Sequence, residues 1–199
     1  NINAIDRSWE AIKGASNPRI HIVHEPWLYS VDAELERLHG PGSFNVERFL
    51  EQFGRSLNVT LLESDNEKIL LDAGAGTRFM GSAGKLEEAL MDKGVEPDQI
   101  THVVFTHAHP DHLWGTVNDF DEIAFPSASF HIAETEWNFW MADDVLTKLD
   151  EQRKAFAVGA QRNLTAIKDR LSTFKPGAEL VAGLRAIDTS GHTPGHVSF

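Results

Sequence analysis

Thr106-His107-Ala108-His109-Pro110-Asp111-His112 follows directly on the apolar run Val103-Val104-Phe105, so three imidazoles and a carboxylate arrive at the end of what reads as a buried strand. The chain has 10 His and no Cys among 199 residues. Neutral imidazole and carboxylate are the ligands that a borderline divalent ion takes when no thiolate is offered, and a Cys-rich structural zinc site is excluded. Side chains two apart share one side of an extended segment, which puts His107 and His109 together. Pro110 then bends the backbone, and the neighbouring Asp111 and His112 are expected to diverge toward a second ion. The competing reading is a surface histidine cluster, or a helix start with Asp111 near its N-terminus.

A second cluster, Gly191-His192-Thr193-Pro194-Gly195-His196, lies between an expected strand from Leu184 to Ile187 and the apolar Val197-Ser198-Phe199. Glycines around a proline predict a tight loop at a strand end, where a side chain can be aimed into a cleft. His192 thereby supplies the third nitrogen beside His107 and His109, with a position left for water, as a catalytic zinc site requires.

These two motifs and Leu70-Leu71-Asp72-Ala73-Gly74-Ala75-Gly76 resemble the signatures of the metallo-β-lactamase superfamily. From Leu57 to Phe199 the chain is most similar to the methyl parathion hydrolase branch, near the acyl-homoserine lactonases. Ala124-Phe125-Pro126, Asn138-Phe139-Trp140 and Leu180-Val181-Ala182-Gly183-Leu184 carry that likeness. The resemblance implies an α/β protein with the superfamily's αββα four-layer sandwich. It also implies two divalent metal ions, zinc first, with manganese, cobalt or iron as alternatives.

Carried over by position, the resemblance makes His107, His109 and His192 first-metal ligands and Asp111 and His112 second-metal ligands. Asp72 matches a buried aspartate that orients the ligand loop, and His196 a packed or hydrogen-bonded histidine that is not a ligand. Phe79, Trp140 and Phe156 match aromatic residues of the substrate pocket, although by spacing alone Trp137 and Trp140 read as core. The family completes its second site with a bridging aspartate and a late histidine. No residue up to Phe199 takes those places, and the sequence is read as one domain over 1–199 that lacks part of the C-terminal half of its fold.

Composition is that of a soluble globular chain, 41% hydrophobic and 24% charged. The formal charge of −12 opposes a phosphate backbone and argues against nucleic-acid substrates. No run reaches the ~18 apolar residues of a membrane span, and no signal peptide is evident. A start at Asn1 without Met fits an export segment already removed. Cytoplasm and periplasm are both compatible with the absence of Cys.

Leu57 to Glu63 and Lys68 to Asp72 read as a hairpin turning at Ser64-Asp65-Asn66. Ser82 is expected to cap a helix that buries Leu86 and Leu90 and stops at Gly94. Strands are expected at Thr101 to Thr106 and Ala128 to Ile132, and helices from Glu134 to Ala142 and from Asp144 to Phe174. In the last, Leu164, Ile167 and Leu171 form a core stripe. The alternation predicts layered α/β structure. Residues 1–56, punctuated by proline and glycine, suggest short helices at Val31 to Leu38 and Val46 to Phe53, serving as a lid or a homodimer contact. His21, His24, His39, His102 and His131 are read as packed or solvated, and Tyr29 is the sole tyrosine.

The expected function is hydrolysis by a metal-activated hydroxide of ester, phosphotriester or lactone bonds in small, largely apolar substrates, with Asp111 as a further proton acceptor. The alternatives are an iron-dependent oxidoreductase on the same fold and a non-catalytic metal-binding fragment.

Overall fold

The computed structural model describes residues 19–25, 57–64, 66–79 and 83–199. Strands β1 (Arg19–Glu25), β2 (Leu57–Glu63) and β3 (Lys68–Leu71) are antiparallel neighbours. Strands β4 (His102–Val104), β5 (Ser129–Ala133) and β6 (Leu171–Phe174) continue the sheet in parallel, in the order β1-β2-β3-β4-β5-β6. Two small hairpin pairs follow, β7 (Glu179–Val181) with β8 (Leu184–Arg185) and β9 (Ile187–Asp188) with β10 (Val197–Ser198). The helices are α1 (Gly76–Phe79), α2 (Leu86–Met91), α3 (Pro110–Leu113), α4 (Glu134–Trp140), α5 (Val145–Lys148) and α6 (Glu151–Ile167).

Alternation along the strands sorts the core into two faces. Leu61, Leu70, Val103, Phe130 and Ile132 pack with Leu90, Leu164 and Ile167 of the helices. Their neighbours Leu62, Ile69, Val104 and Ala133 face the other way, where Leu184, Ala186 and Val197 of the small hairpins cover them. Each such fully buried aliphatic side chain contributes roughly 1.5–3 kcal/mol relative to exposure. Layers of helix, main sheet and short strands therefore follow from period-two patterning, as expected for the α/β class.

Two expectations need correction, and one strand was missed. The helical pattern read from Asp144 to Phe174 is interrupted: α5 ends at Lys148, Asp150 caps α6 by accepting from Arg153 N at 3.0 Å, and Leu171–Phe174 is strand β6. Leu171 pairs with Phe130, so edge pairing to β5 outweighs the helical spacing that linked it to Ile167. Leu184 to Ile187 is broken at Ala186, whose N–H turns back to Ala178 O at 3.0 Å. The strand β1 was not anticipated, although Ile20 and Ile22 alternate with histidine; His21 and His24 lie on it, in register with Leu61 and Asn58. The expected helices at 31–38 and 46–53, together with Tyr29, His39 and the Ser82 cap, fall outside the described residues. Among the described residues no helix is long and apolar enough to cross a membrane.

Candidate metal centre

Parallel strands β3 and β4 end side by side, so the segments leaving their C-terminal ends meet. Asp72, the first residue past β3, takes a left-handed φ of 69°, a conformation that a non-glycine residue adopts only when its surroundings hold it there. Its carboxylate accepts from Thr106 N at 2.8 Å and from Thr106 Oγ1, and its Oδ2 lies 2.8 Å from His112 Nδ1. Ala73 N adds a bond to His112 O at 2.8 Å. Asp72 thus holds both ends of the 106–112 segment and occupies a place that orients imidazoles.

The hydroxyl of Thr106 has one proton, which it donates to Asp72, so toward His107 Nδ1 at 2.9 Å it can only accept. Nδ1 therefore carries the ring hydrogen and Nε2 keeps its lone pair. His107 is 2% exposed and its Nε2 is buried without a hydrogen-bond partner. An orphaned buried acceptor costs free energy, and a cation is the partner that removes the cost.

His109 and His192 could bring such a cation's other ligands. His109 Nδ1 lies 3.0 Å from His192 Nε2, and ligand atoms of His107, His109 and His192 all fall within 4.8 Å of one another. Three imidazole nitrogens at this spacing fit a tetrahedral ion with one position open. Burial, reinforced by the surrounding imidazoles His112, His109, His196 and His192, holds His107 far below the ordinary histidine range. Burial, then His192, brings His109 down to about 4. Both are thus unprotonated at neutral pH, as ligation demands.

Asp111 and His112 do not diverge as the extended reading supposed. Residues 110–113 form the single turn α3, where adjacent side chains leave about 100° apart instead of on opposite sides, and His112 Nε2 comes within 3.4 Å of Asp111 Oδ2. The competing helix start is present, with Asp111 in its first turn, whereas His107, at 2% exposure, is not part of a surface cluster. His112 sits between two carboxylates; burial disfavours its charge, yet Asp72 and Asp111 outweigh this and raise it to about 10. Asp111 is pushed up by burial but pulled further down by its bond to His112 and the charge there. His112 lies against His107 at 4.1 Å between ring centres, so this pair borders the triad. His196 is 4.9 Å from His107 by ring centres and its Nδ1 is 2.8 Å from Thr189 Oγ1.

Of the aromatic residues expected in the pocket, Phe156 packs on His109 at 5.8 Å between ring centres and Phe79 lies edge-on to Trp114 at 6.0 Å. Trp140 also meets His109, at 5.8 Å, but it is 1% exposed and belongs to the core beneath that ring. A cleft of about 260 Å³ beside α1 is lined by Thr77, Glu87, Asp119 and Phe120 and by none of the motif histidines.

The residue that sequence reasoning missed is Glu136. It lies in the first turn of α4, fully buried, and accepts from Ala108 N, Trp140 Nε1, Thr193 Oγ1 and Gly195 N at 2.7–2.9 Å. The sequence held one trace of it, the spacing of four to Trp140 on a helix.

A family model, the metallo-beta-lactamase superfamily, matches residues 53–199. The chain belongs to that superfamily. Among curated members, YobT of Bacillus subtilis strain 168, described as uncharacterized, is 32% identical over 145 residues, covering 72% of this chain and 56% of its own length. Metallo-beta-lactamase domain-containing protein 1 of Xenopus laevis is 29% identical over 173 residues, covering 84% of this chain and 61% of its own. The chain thus spans just over half to about three-fifths of these superfamily relatives. Among solved structures, the hydrolase AbOPH of the beta lactamase superfamily superposes with a TM-score of 0.75 at 25% identity, covering 92% of this chain and 66% of that one. AidC, described as a dizinc quorum-quenching lactonase in complex with a homoserine product, shares the fold at a TM-score of 0.72 and 23% identity, covering 92% and 67%.

Proposed function

We propose that this protein is a metal-dependent hydrolase acting on ester, phosphotriester or lactone bonds of small, largely apolar substrates. The observation that carries the reading is the convergence of three imidazoles, one with a buried nitrogen lacking any partner, at the C-terminal edge of a parallel strand pair. Membership of the superfamily supports it, as does the likeness to AbOPH.

His107, His109 and His192 would hold the first ion; Asp111 and His112 would furnish part of a second site once His112 gives up its proton to the incoming ion, zinc being the first choice for both. Divalent ions held there would supply Lewis acidity toward a carbonyl or phosphoryl oxygen and would lower the pKa of water to about 7. The chain's own residues do the rest. Asp72 keeps His112 and the Thr106 segment in place, and the Thr106 hydroxyl fixes the His107 tautomer. Asp111, ionised at neutral pH, offers Oδ2 as the acceptor for the proton that attacking water gives up. Phe156, packed on His109, forms an apolar wall suited to aryl or acyl groups.

The test is a panel of aryl phosphotriester, aryl ester, homoserine lactone and β-lactam, with metal content measured alongside. We expect turnover of a neutral ester-type substrate that chelation removes and zinc, manganese or cobalt restores. Full metal occupancy with no hydrolysis, or bound iron with oxygen or thiol consumption, would refute the proposal. Asp111→Asn should lower kcat at least tenfold; unchanged turnover at full metal content removes the proton-acceptor role.

A further inference from the structure

Glu136 is a carboxylate with no access to water, and among the described residues no cation hydrogen-bonds to it. Such a group is tolerated only where donors replace its hydration, and here four neutral donors do so, two to each oxygen. Oε1 accepts from Ala108 N at 2.9 Å and Trp140 Nε1 at 2.7 Å; Oε2 accepts from Thr193 Oγ1 at 2.8 Å and Gly195 N at 2.9 Å. Ala108 lies between His107 and His109, while Thr193 adjoins His192. One side chain therefore grips the backbone of both histidine loops, one loop on each oxygen. Glu134, two residues earlier on the same helix, is half exposed and pairs with Lys175, which is the ordinary use of an acid at a helix start. The approach of the second loop is close: a Cβ on Gly195 would fall 2.2 Å from Glu136 N.

We infer that Glu136 is the positioning residue of this site, setting the separation of the two histidine loops and through it the affinity of the His107–His109–His192 triad for its metal. The inference rests on the reading that this triad binds a metal, but not on any hydrolytic activity. Gln at 136 keeps length and volume while turning one acceptor into a donor. The Thr193 hydroxyl can rotate to accept, whereas Ala108 N, Trp140 Nε1 and Gly195 N cannot. The amide NH2 therefore settles toward Thr193, leaving Gly195 N without an acceptor. The loop that carries His192 is then released while that of His107 and His109 stays tied.

Zinc affinity of the full chain, measured by competition with a chromogenic chelator, tests this. Glu136→Gln is expected to weaken zinc binding roughly 10- to 100-fold, the usual effect of losing a partner that orients ligands. Thr193→Val, which cuts one tie and leaves the carboxylate in place, should weaken it by a smaller factor and stands in if the first variant fails to fold. Cobalt substituted for zinc should lose the visible absorption of a four-coordinate site in both. Leu164→Ala, a core variant on α6 remote in sequence from both loops, should lower Tm while leaving zinc affinity unchanged. Parent-like affinity in Glu136→Gln overturns the inference, as does an equal loss in Leu164→Ala. Tight zinc binding without hydrolysis by the parent would refute the proposed activity and leave this comparison intact; absence of zinc binding by the parent refutes both.

Discussion

Asp72 and Glu136 are two buried carboxylates with different partners. Asp72 meets a hydroxyl, a backbone N–H and an imidazole whose charged form it favours, so it fixes one loop and its histidine. Glu136 meets only neutral donors and joins two loops. At the opposite end of the same strands another histidine pair supplies a pH test. His131 Nε2 lies 3.0 Å from His102 Nδ1, and burial followed by the His102 charge lowers His131 from 6.5 to about 4. The unfolded chain therefore takes a proton that the fold refuses. The contribution to stability is complete above about pH 6.5 and is lost as pH falls through about 4. We expect a loss on the order of 1–2 kcal/mol across this window, reduced from the full linkage value because the ring is partly open to water. Urea unfolding of the parent against His131→Gln checks it: the variant should show a shallower decline, and equal slopes would dismiss the pair as its source.

Helix α6 carries a glycine near its middle, where alanine would ordinarily add helix stability of about 1 kcal/mol. Here Trp114, immediately after the metal-motif turn α3, lies against Gly159, and an added Cβ would fall 2.1 Å from Trp114 Cζ2. Overpacking of this kind costs roughly 1–3 kcal/mol, so the packing term outweighs propensity. Gly159→Ala should therefore lower Tm, and by displacing Trp114 it should also disturb the turn that presents Asp111 and His112. A rise in Tm would show that Trp114 can yield without cost. Propensity also failed at β6, for a related reason. Leu171 continues the α6 spacing, yet the open edge of β5 offers it backbone hydrogen bonds that a further helical turn would not.

For the molecule as a whole, a metal held by the triad would be linked to the fold. The triad draws on segments after β4 and before β10, so an ion that binds only when they meet must stabilise the arrangement that brings them together. Zinc at about 100 times its Kd adds roughly 2.7 kcal/mol, or roughly 5–10 °C in Tm for a domain of this size. Scanning calorimetry with and without zinc should show that rise in the parent and little of it in His107→Ala. An equal rise in both would place the ion elsewhere.

Spacing within a few residues was enough to single out His107, His109, Asp111, His112 and His192 as candidate ligands, and the fold brings the ligand atoms of His107, His109 and His192 together. Period-two alternation likewise announced the sheet at β2, β3, β4 and β5. Convergence is another matter, since nothing local brings position 192 to 109. Glu136 shows why: a lone acid on a helix has no signature, and its meaning arises when chain closure sets four donors from three segments around its two oxygens. Short-range periodicity acts before folding and can be read in one dimension. The aim of each imidazole depends on long-range contacts that exist only after the core has closed.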